Sequence, residues 1–367
     1  MPARSVITAI LAIALVSASA FEIHADDKSL LIELDPRGSA LPTAMSASGA
    51  VIVGTLNDSL NAFYWMPTTG VIFAGGLSAT GVSRDGHTIV GTATDARLIQ
   101  QAAIWVRGTE WRLLGSFGSN AAPCDRFLSS AAGTNSNGQV VVGQAYNGCT
   151  LSHAFRWQES TGMVDLGSSV DGRPSSARGV SSDGNVIVGS QTRADGVPQG
   201  ARWVGGRQEL IPGVNGFVGA AIGTNSDGSV VVGRICRFGT EADQSAWIWR
   251  AQGGTTCLAP PKRIPSPGPV IIGEATATSE DGQVVGGSQN VGGSVDSNAV
   301  IWIGGQAAYL KDFLQANGVP DAFKTWINTG TITGISPDGR VLVGWGAAVG
   351  GFRGYIVILG SSRVIPS

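Results

Sequence analysis

The sequence predicts an all-β fold: a seven-bladed β-propeller with four antiparallel strands per blade, its ring closed by an N-terminal strand. Three observations carry this. A Ser-x-Asp-Gly turn or a close variant of it, followed by a β-branched run, recurs seven times. A strand ending in Trp follows six of those turns. An unpaired strand candidate precedes the first turn. Self-similarity at a fixed period sets the architecture before any other feature.

The turns lie in segments 44–54, 81–91, 133–143, 179–189, 223–233, 277–287 and 334–344, and each segment ends on glycine. Their turn glycines are 37 to 57 residues apart, so the units differ mainly in loop length. Asp-Gly or Asn-Gly supplies the positive φ of a tight hairpin. The runs that follow, such as Val140-Val141-Val142 and Val186-Ile187-Val188, show no alternation. Such runs suit strands buried on both faces.

The third strand of each unit ends at Trp65, Trp105, Trp157, Trp203, Trp249 or Trp302, while the seventh copy, Gly354-Tyr355-Ile356-Val357, lacks the Trp. A short fourth strand follows, as in Arg207-Gln208-Glu209-Leu210. Four strands at a period of roughly 50 residues make a propeller blade. One blade leaves both faces bare, and radial packing covers them with the repeated Trp and Val. The last copy ends near Leu359, and Leu30 to Leu34 precede the first turn. That segment is expected to supply the missing fourth strand of blade seven. No composition break divides the chain, so residues 21–367 read as one domain.

The chain has 367 residues, 54 of them Gly, with 14% charged residues and a net charge of −2. Glycine at that level without a collagen period signals many turns. The charge balance, with no basic run, argues against a nucleic-acid surface. Arg4, the apolar Val6 to Val16 and Ala18-Ser19-Ala20 read as a signal peptide over residues 1–20, with Phe21 first in the mature chain. The apolar stretch is short for a membrane span. The expectation is a secreted or periplasmic monomer without stable membrane insertion. Four cysteines, Cys124, Cys149, Cys236 and Cys257, follow the signal. An even count in an exported chain favours disulfides. Three pairings are possible, and sequence proximity favours Cys124–Cys149 and Cys236–Cys257. None has the spacing of zinc ligands.

His153-Ala154-Phe155-Arg156-Trp157, followed by Gly162-Met163-Val164-Asp165-Leu166-Gly167, resembles the bacterial extracellular HAF repeat. Blade three has the full His-Ala-Phe triplet; the others keep Ala and Trp. The stretch from Leu310 and Leu314 through Gly318 and Trp326 to Asp338-Gly339 is similar to that family's closing unit. The resemblance spans nearly the whole mature chain and implies a propeller-like repeat protein outside the cytoplasm. Its motifs are turn and packing residues, which carry no chemistry.

Candidate chemistry is sparse. His24, His87 and His153 fall by the cleavage region, after a turn and on a strand, and no Gly-x-Ser-x-Gly elbow or dinucleotide fingerprint is present. Asp85, Asp183, Asp227, Asp281 and Asp338 recur once per blade, as turn geometry demands, and so would not converge on a calcium ion. Nothing in the spacing pairs Glu159, Asp165, Glu209, Glu241, Asp243 or Glu274 as a hydrolytic couple. No catalytic residue, metal ligand or cofactor is assigned. Three tryptophans outside the repeat position, Trp111, Trp247 and Trp345, are the binding candidates. Trp345 stands where other blades carry polar residues, and an aromatic there suits stacking on a sugar or peptide. Insertions at 115–131, 237–244, 258–269 and 311–325 are the expected recognition loops.

The function these features favour is non-catalytic binding or adhesion, with a glycan or protein recognised through loops on one face. The alternative is a carbohydrate-active hydrolase or lyase with its site at the channel mouth, which would bring two carboxylates or a histidine together there. Peptide mapping of the non-reduced mature protein by mass spectrometry is expected to return Cys124–Cys149 and Cys236–Cys257. A bridge between the two pairs would contradict the blade assignment.

Overall fold

The computed structural model describes residues 28–35, 38–117, 127–147, 151–214, 218–237, 244–261, 271–291, 297–361 and 363–366. The expected signal peptide, His24, Cys124, Cys149, Glu241 and Asp243 lie outside them. The chain forms antiparallel quartets of strands in sequence order. After β1 (Leu30–Glu33), the first quartet is β2 (Ala40–Met45), β3 (Ile52–Leu56), β4 (Asn61–Met66) and β5 (Gly70–Gly75). The second is β6 (Ser78–Val82), β7 (Thr88–Thr94), β8 (Gln100–Val106) and β9 (Arg112–Leu113). The third is β10 (Ser129–Thr134), β11 (Val141–Asn147), β12 (Leu151–Gln158) and β13 (Gly162–Asp165). The fourth is β14 (Ser175–Val180), β15 (Val186–Thr192), β16 (Pro198–Val204) and β17 (Arg207–Leu210).

The fifth quartet, β18 (Ala221–Thr224), β19 (Val230–Arg237), β20 (Gln244–Arg250) and β21 (Gly254–Cys257), is joined to the sixth. That one is β22 (Ile271–Thr278), β23 (Val284–Val291), β24 (Ser297–Ile303) and β25 (Gln306–Tyr309). The link is pairing of Arg234 with Glu274 and of Gln244 with Ile272. The seventh quartet is β26 (Thr331–Ile335), β27 (Val341–Ala348) and β28 (Gly351–Ile358), completed by β1. Leu30 pairs with Ile358 and Glu33 with Tyr355, so the N-terminal strand closes the ring as expected.

Each turn is built by two side chains. Ser83 Oγ donates to Asp85 Oδ1 at 2.6 Å and accepts from the Thr88 N–H at 2.9 Å, while the Asp85 carboxylate accepts from the His87 N–H at 2.9 Å. Ser181 with Asp183 and Ser279 with Asp281 repeat this. Blades three and five use Asn135 and Asn225, whose Oδ1 accepts from Val140 and Val230. The Ser or Asn position is buried in every copy, which explains why the residue is a short polar one. Hydrogen bonds from Ser83, Ser181 and Ser229 hold Asp85, Asp183 and Asp227 below the ordinary 3.8, aided by backbone N–H groups. At Asp281 burial is the largest influence and pushes upward, but Ser279 and Gln283 outweigh it.

A feature without a dipeptide signature recurs in the inner strands. Each of β2, β6, β10, β14, β18, β22 and β26 bulges by one residue against its neighbour. The bulge drives an inner-strand carbonyl against the glycine that ends each repeat segment. A Cβ on Gly91 would overlap the Ser78 carbonyl oxygen, and one on Gly189 would overlap that of Ser176. These glycines serve close approach and not positive φ, which is the role of the turn glycines such as Gly184 at φ 78°. In blades one, three, five and seven an aromatic side chain lies over this glycine from the third strand. Gly54 pairs with Phe63, Gly143 with Phe155, Gly233 with Trp247 and Gly344 with Tyr355. Such pairing covers a surface that glycine leaves bare.

Seven apolar clusters fill the spaces between neighbouring blades. One joins Val51, Val53 and Ala62 to Ala79, Ile89 and Trp105; another joins Val341, Val343 and Ile356 to Ala40, Ile52, Phe63 and Trp65 across the closure. Successive residues of one second strand serve opposite interfaces, as Val141 and Val142 do. The repeat tryptophans are at most 8% exposed, so they are core residues as expected. Glu33 adds a polar clasp at the closure, 3.2 Å from Arg353 and within reach of the Trp326 N–H at 3.3 Å.

The expected insertion at 311–325 is not an open loop. Leu310–Ala316 form a short helix, α1, whose Leu310, Phe313 and Leu314 are buried together with Ala322, Phe323 and Trp326. The spacing i, i+3, i+4 puts these side chains on one face, which packs between blades six and seven. Cys236 and Cys257 are bonded, with Cα atoms 5.6 Å apart, and link β19 to β21 across β20.

Removing residues 28–34 should strip β1 and Leu34 from the closing interface. The expected cost is about 5 kcal/mol and a fall in Tm of roughly 10 °C. Calorimetry checks this, and an unchanged melting point would contradict the closure. The depressed turn carboxylates set a pH dependence. Their contribution to stability is full above the unfolded value near 3.8 and is lost as pH falls through the lower folded values. Melting temperature should therefore hold level at pH 5 to 7 and drop on acidification below about 4. Asp183→Asn, the residue type of Asn137 in blade three, should reduce that acid sensitivity.

Candidate ligand site in the central channel

The inner strands line a central channel. The chain enters each of them from the face that carries the insertions and leaves at the Ser-x-Asp-Gly turns. A cavity of about 660 Å³ occupies the channel from the insertion side to its middle, and one of about 180 Å³ lies at the turn mouth. The turn mouth is cinched by a belt of backbone bonds. Ala47 N–H donates to the Arg84 carbonyl, Arg84 to Ser136, Ser136 to Ser182, Ser182 to Ser226 and Glu280 to Pro337. Between blades five and six Ser226 N–H donates to the Glu280 carboxylate instead, at 3.2 Å. Pro337 has no N–H to continue the belt to blade one.

The bulge residues face the larger cavity: Thr43, Thr80, Ala132, Arg178, Ile222, Thr276 and Thr333. Thr43 donates to the Ala79 carbonyl at 2.7 Å, Thr80 to Ala131 at 2.9 Å and Thr333 to Pro42 at 2.9 Å, and Thr276 bonds the Ile332 carbonyl. Each threonine thus reaches the carbonyl that precedes the next blade's bulge residue. Blades three, four and five carry Ala132, Arg178 and Ile222 in place of that donor.

This break in the ring is where the channel is charged. Arg178 lines the larger cavity, accessible to its solvent yet enclosed by the surrounding blades. Enclosure lowers its affinity for the proton, the Arg234 guanidinium lowers it further, and Glu274 acts in the opposite direction. Arg234 is exposed and occupies the second-strand position held elsewhere by Thr92 and Gln144, both of which line the cavity. An irregularity after it, with Ile235 at φ 68°, is the one break in register among the described pairings of second with third strands. A bulge of this kind re-aims neighbouring side chains. Glu274 stands opposite Arg234 in register and 3.4 Å from Ser288 Oγ.

The three aromatic candidates separate. Trp345 is half-buried at the ring position shared by Thr92, Gln144 and Arg234, edge-on to the exposed Phe352 at 5.6 Å. Trp111 is half-buried, stacks on Trp105 at 6.3 Å and donates to the Ala74 carbonyl at 2.8 Å, so it packs between blades one and two. Trp247 is fully buried, with its N–H on the Arg234 carbonyl at 2.9 Å, which removes it from the binding candidates. Its reason is the glycine it covers: it occupies the position of Phe63, Phe155 and Tyr355. The arginines were missed because Arg178 and Arg234 fall at strand positions whose direction only the bulges define.

The remaining polar candidates are engaged in structure. Glu159 pairs with Arg112, Glu209 with Arg202, and Asp165 with His153 at 2.9 Å. The last pair joins the histidine of the His-Ala-Phe triplet to the aspartate twelve residues on, tying the third strand of blade three to its fourth. Glu274 stands two residues before the bulge of its inner strand, the place held in other blades by Ser78, Ser130 and Ser176, which line the larger cavity. Glu280, at the turn mouth, lies six residues further along the same chain segment, roughly 20 Å at an extended rise. A hydrolytic pair needs about 5 to 9.5 Å. Among the described residues no three His, Cys, Asp or Glu side chains are grouped to hold a metal ion. No helix among them is long and apolar enough to cross a membrane.

No protein-family model matches the sequence, and no characterised protein matches it by sequence. Solved structures do resemble it. The oligogalacturonate lyase of Vibrio parahaemolyticus superposes with a TM-score of 0.57 at 11% identity, covering 95% of this chain and 97% of that one. A xyloglucanase of Xanthomonas campestris gives 0.56 at 12% identity, over 89% of this chain and 53% of that one. The β-propeller domain of the trilobed protease of Pyrococcus furiosus gives 0.51 at 11% identity, over 88% and 96%. TolB of Acinetobacter baumannii is more distant, at 0.47, and this chain spans 63% of its length. At such identities the likeness is one of fold, and the fold is a β-propeller.

Proposed function

We propose that this chain is an exported binding propeller of the HAF-repeat type, which holds a glycan or protein ligand at the insertion-side mouth of its channel without transforming it. The observation that carries the reading is the cavity of about 660 Å³, whose volume falls within the range of ligand sites and whose wall sets Ser and Thr hydroxyls, Gln144 and Arg178 among small Gly and Ala residues. Among the described residues no carboxylate lines this cavity; Glu280 lies at the turn mouth instead. Fold alone would not choose between binding and catalysis; the side chains in the channel favour binding.

The test is a screen of the purified mature protein against glycan and peptide arrays, run beside depolymerisation assays on neutral and acidic polysaccharides. The expected result is a saturable ligand and no turnover. Cleavage of a polysaccharide with no array ligand would overturn the reading in favour of a hydrolase or lyase.

A further inference from the structure

We infer that the channel takes an acidic oligosaccharide, with Arg178 and Arg234 receiving the carboxylate of a uronate residue. The inference rests on the binding reading above and specifies the ligand class.

The first argument is that Arg178 has no part in holding the ring. Four of the other six bulge positions carry threonine, and each of those threonines bonds the next blade. An arginine there gives up that bond and places a cation in the cavity. The second argument is the company it keeps. Arg234, from the neighbouring blade, is near enough to repel it, and Glu274 is the one carboxylate close enough to offset them. Two cations against one anion leave a net positive charge at the side of the cavity that Arg178 lines. Among the described residues neither guanidinium closes an ion pair. A cation in a partly enclosed cavity with a second cation close by is unfavourable until a counter-charge enters. A guanidinium meets a carboxylate through two parallel hydrogen bonds, so the geometry suits a planar carboxylate in particular.

The rest of the wall argues for a sugar over an acidic peptide. Ser78, Ser130, Ser176, Thr92 and Gln144 line the insertion half of the cavity, offering hydroxyl and amide groups that can both donate and accept. Sugar hydroxyls have the same dual character. Trp345 stands at the Arg234 ring position two blades further on, half-buried with Phe352 exposed beside it. A sugar ring with one apolar face suits the face of an aromatic side chain at that place.

Binding of the mature protein to a uronate tetrasaccharide is measured by calorimetry against a neutral tetrasaccharide of the same linkage, a sulfated one and a glutamate-rich peptide. Arg178→Thr and Arg234→Gln install residues that other blades carry at those positions, and each variant's Tm is recorded. The uronate should bind at least about tenfold more tightly than the neutral sugar, and each variant should lose about tenfold while keeping its Tm. Added salt should weaken the uronate and leave the neutral sugar unaffected. Equal binding of neutral and acidic sugars, or unchanged affinity in Arg178→Thr, overturns the inference. Tighter binding of the sulfated sugar or the peptide overturns the carboxylate-sugar assignment. In those cases a ligand is still bound, so the binding reading survives. No binding in any of the four arms overturns the inference alone, while polysaccharide cleavage with no array ligand removes both.

Discussion

At the inner edge of every blade one strand carries a residue more than its partner, and the displaced carbonyl takes the space where the second strand would have a Cβ. The fold depends on this contact. It explains why each repeat segment ends on glycine, since Gly91 and Gly189 stand against the carbonyls of Ser78 and Ser176. It explains the aromatic residues of alternate blades, which cover the glycines from the outer side as Phe155 and Trp247 do. It also turns the bulge residue out of the ladder and into the channel. A side chain larger than hydrogen at any of those glycines would push the inner strand away and reshape the lumen.

The ring is closed three times over, by different means. β1 adds backbone pairing to β28. The cluster around Ile52, Phe63 and Trp65 joins blade one to blade seven. Thr333 bonds the Pro42 carbonyl on the channel side. The belt at the turn mouth is the one circumferential element that stops there, because Pro337 cannot donate. Closure at the outer edge and at the bulge layer thus compensates for an opening at the turn face.

How much was legible follows from how local each rule is. The Asp-Gly turns, the unalternating Val runs and the repeat Trp are decided within a few residues, and the closing strand by counting. The role of Trp247 is set across strands, out of reach of a local rule: it fills the place of Phe63 and Phe155, over a glycine fourteen residues earlier in the chain. The helix at Leu310–Ala316 is written in the spacing of Leu310, Phe313 and Leu314, but it is a single short segment among strands and repeats in no other blade. The channel was illegible for a deeper reason. Whether Arg178 points inward depends on a register shift that leaves no mark in the sequence beyond the glycine facing it.

Because the bulge residue of each blade is absent from the ladder, and because three of the seven lack the threonine that elsewhere bonds a carbonyl of its own blade and one of the next, the frame does not dictate what stands there. Threonine, alanine, isoleucine and arginine all occur on the same backbone. The lumen can therefore be rewritten one codon at a time, without re-solving the packing between blades. Such a scaffold separates the inheritance of shape from the inheritance of selectivity, and a family built on it can diversify its ligands faster than its fold.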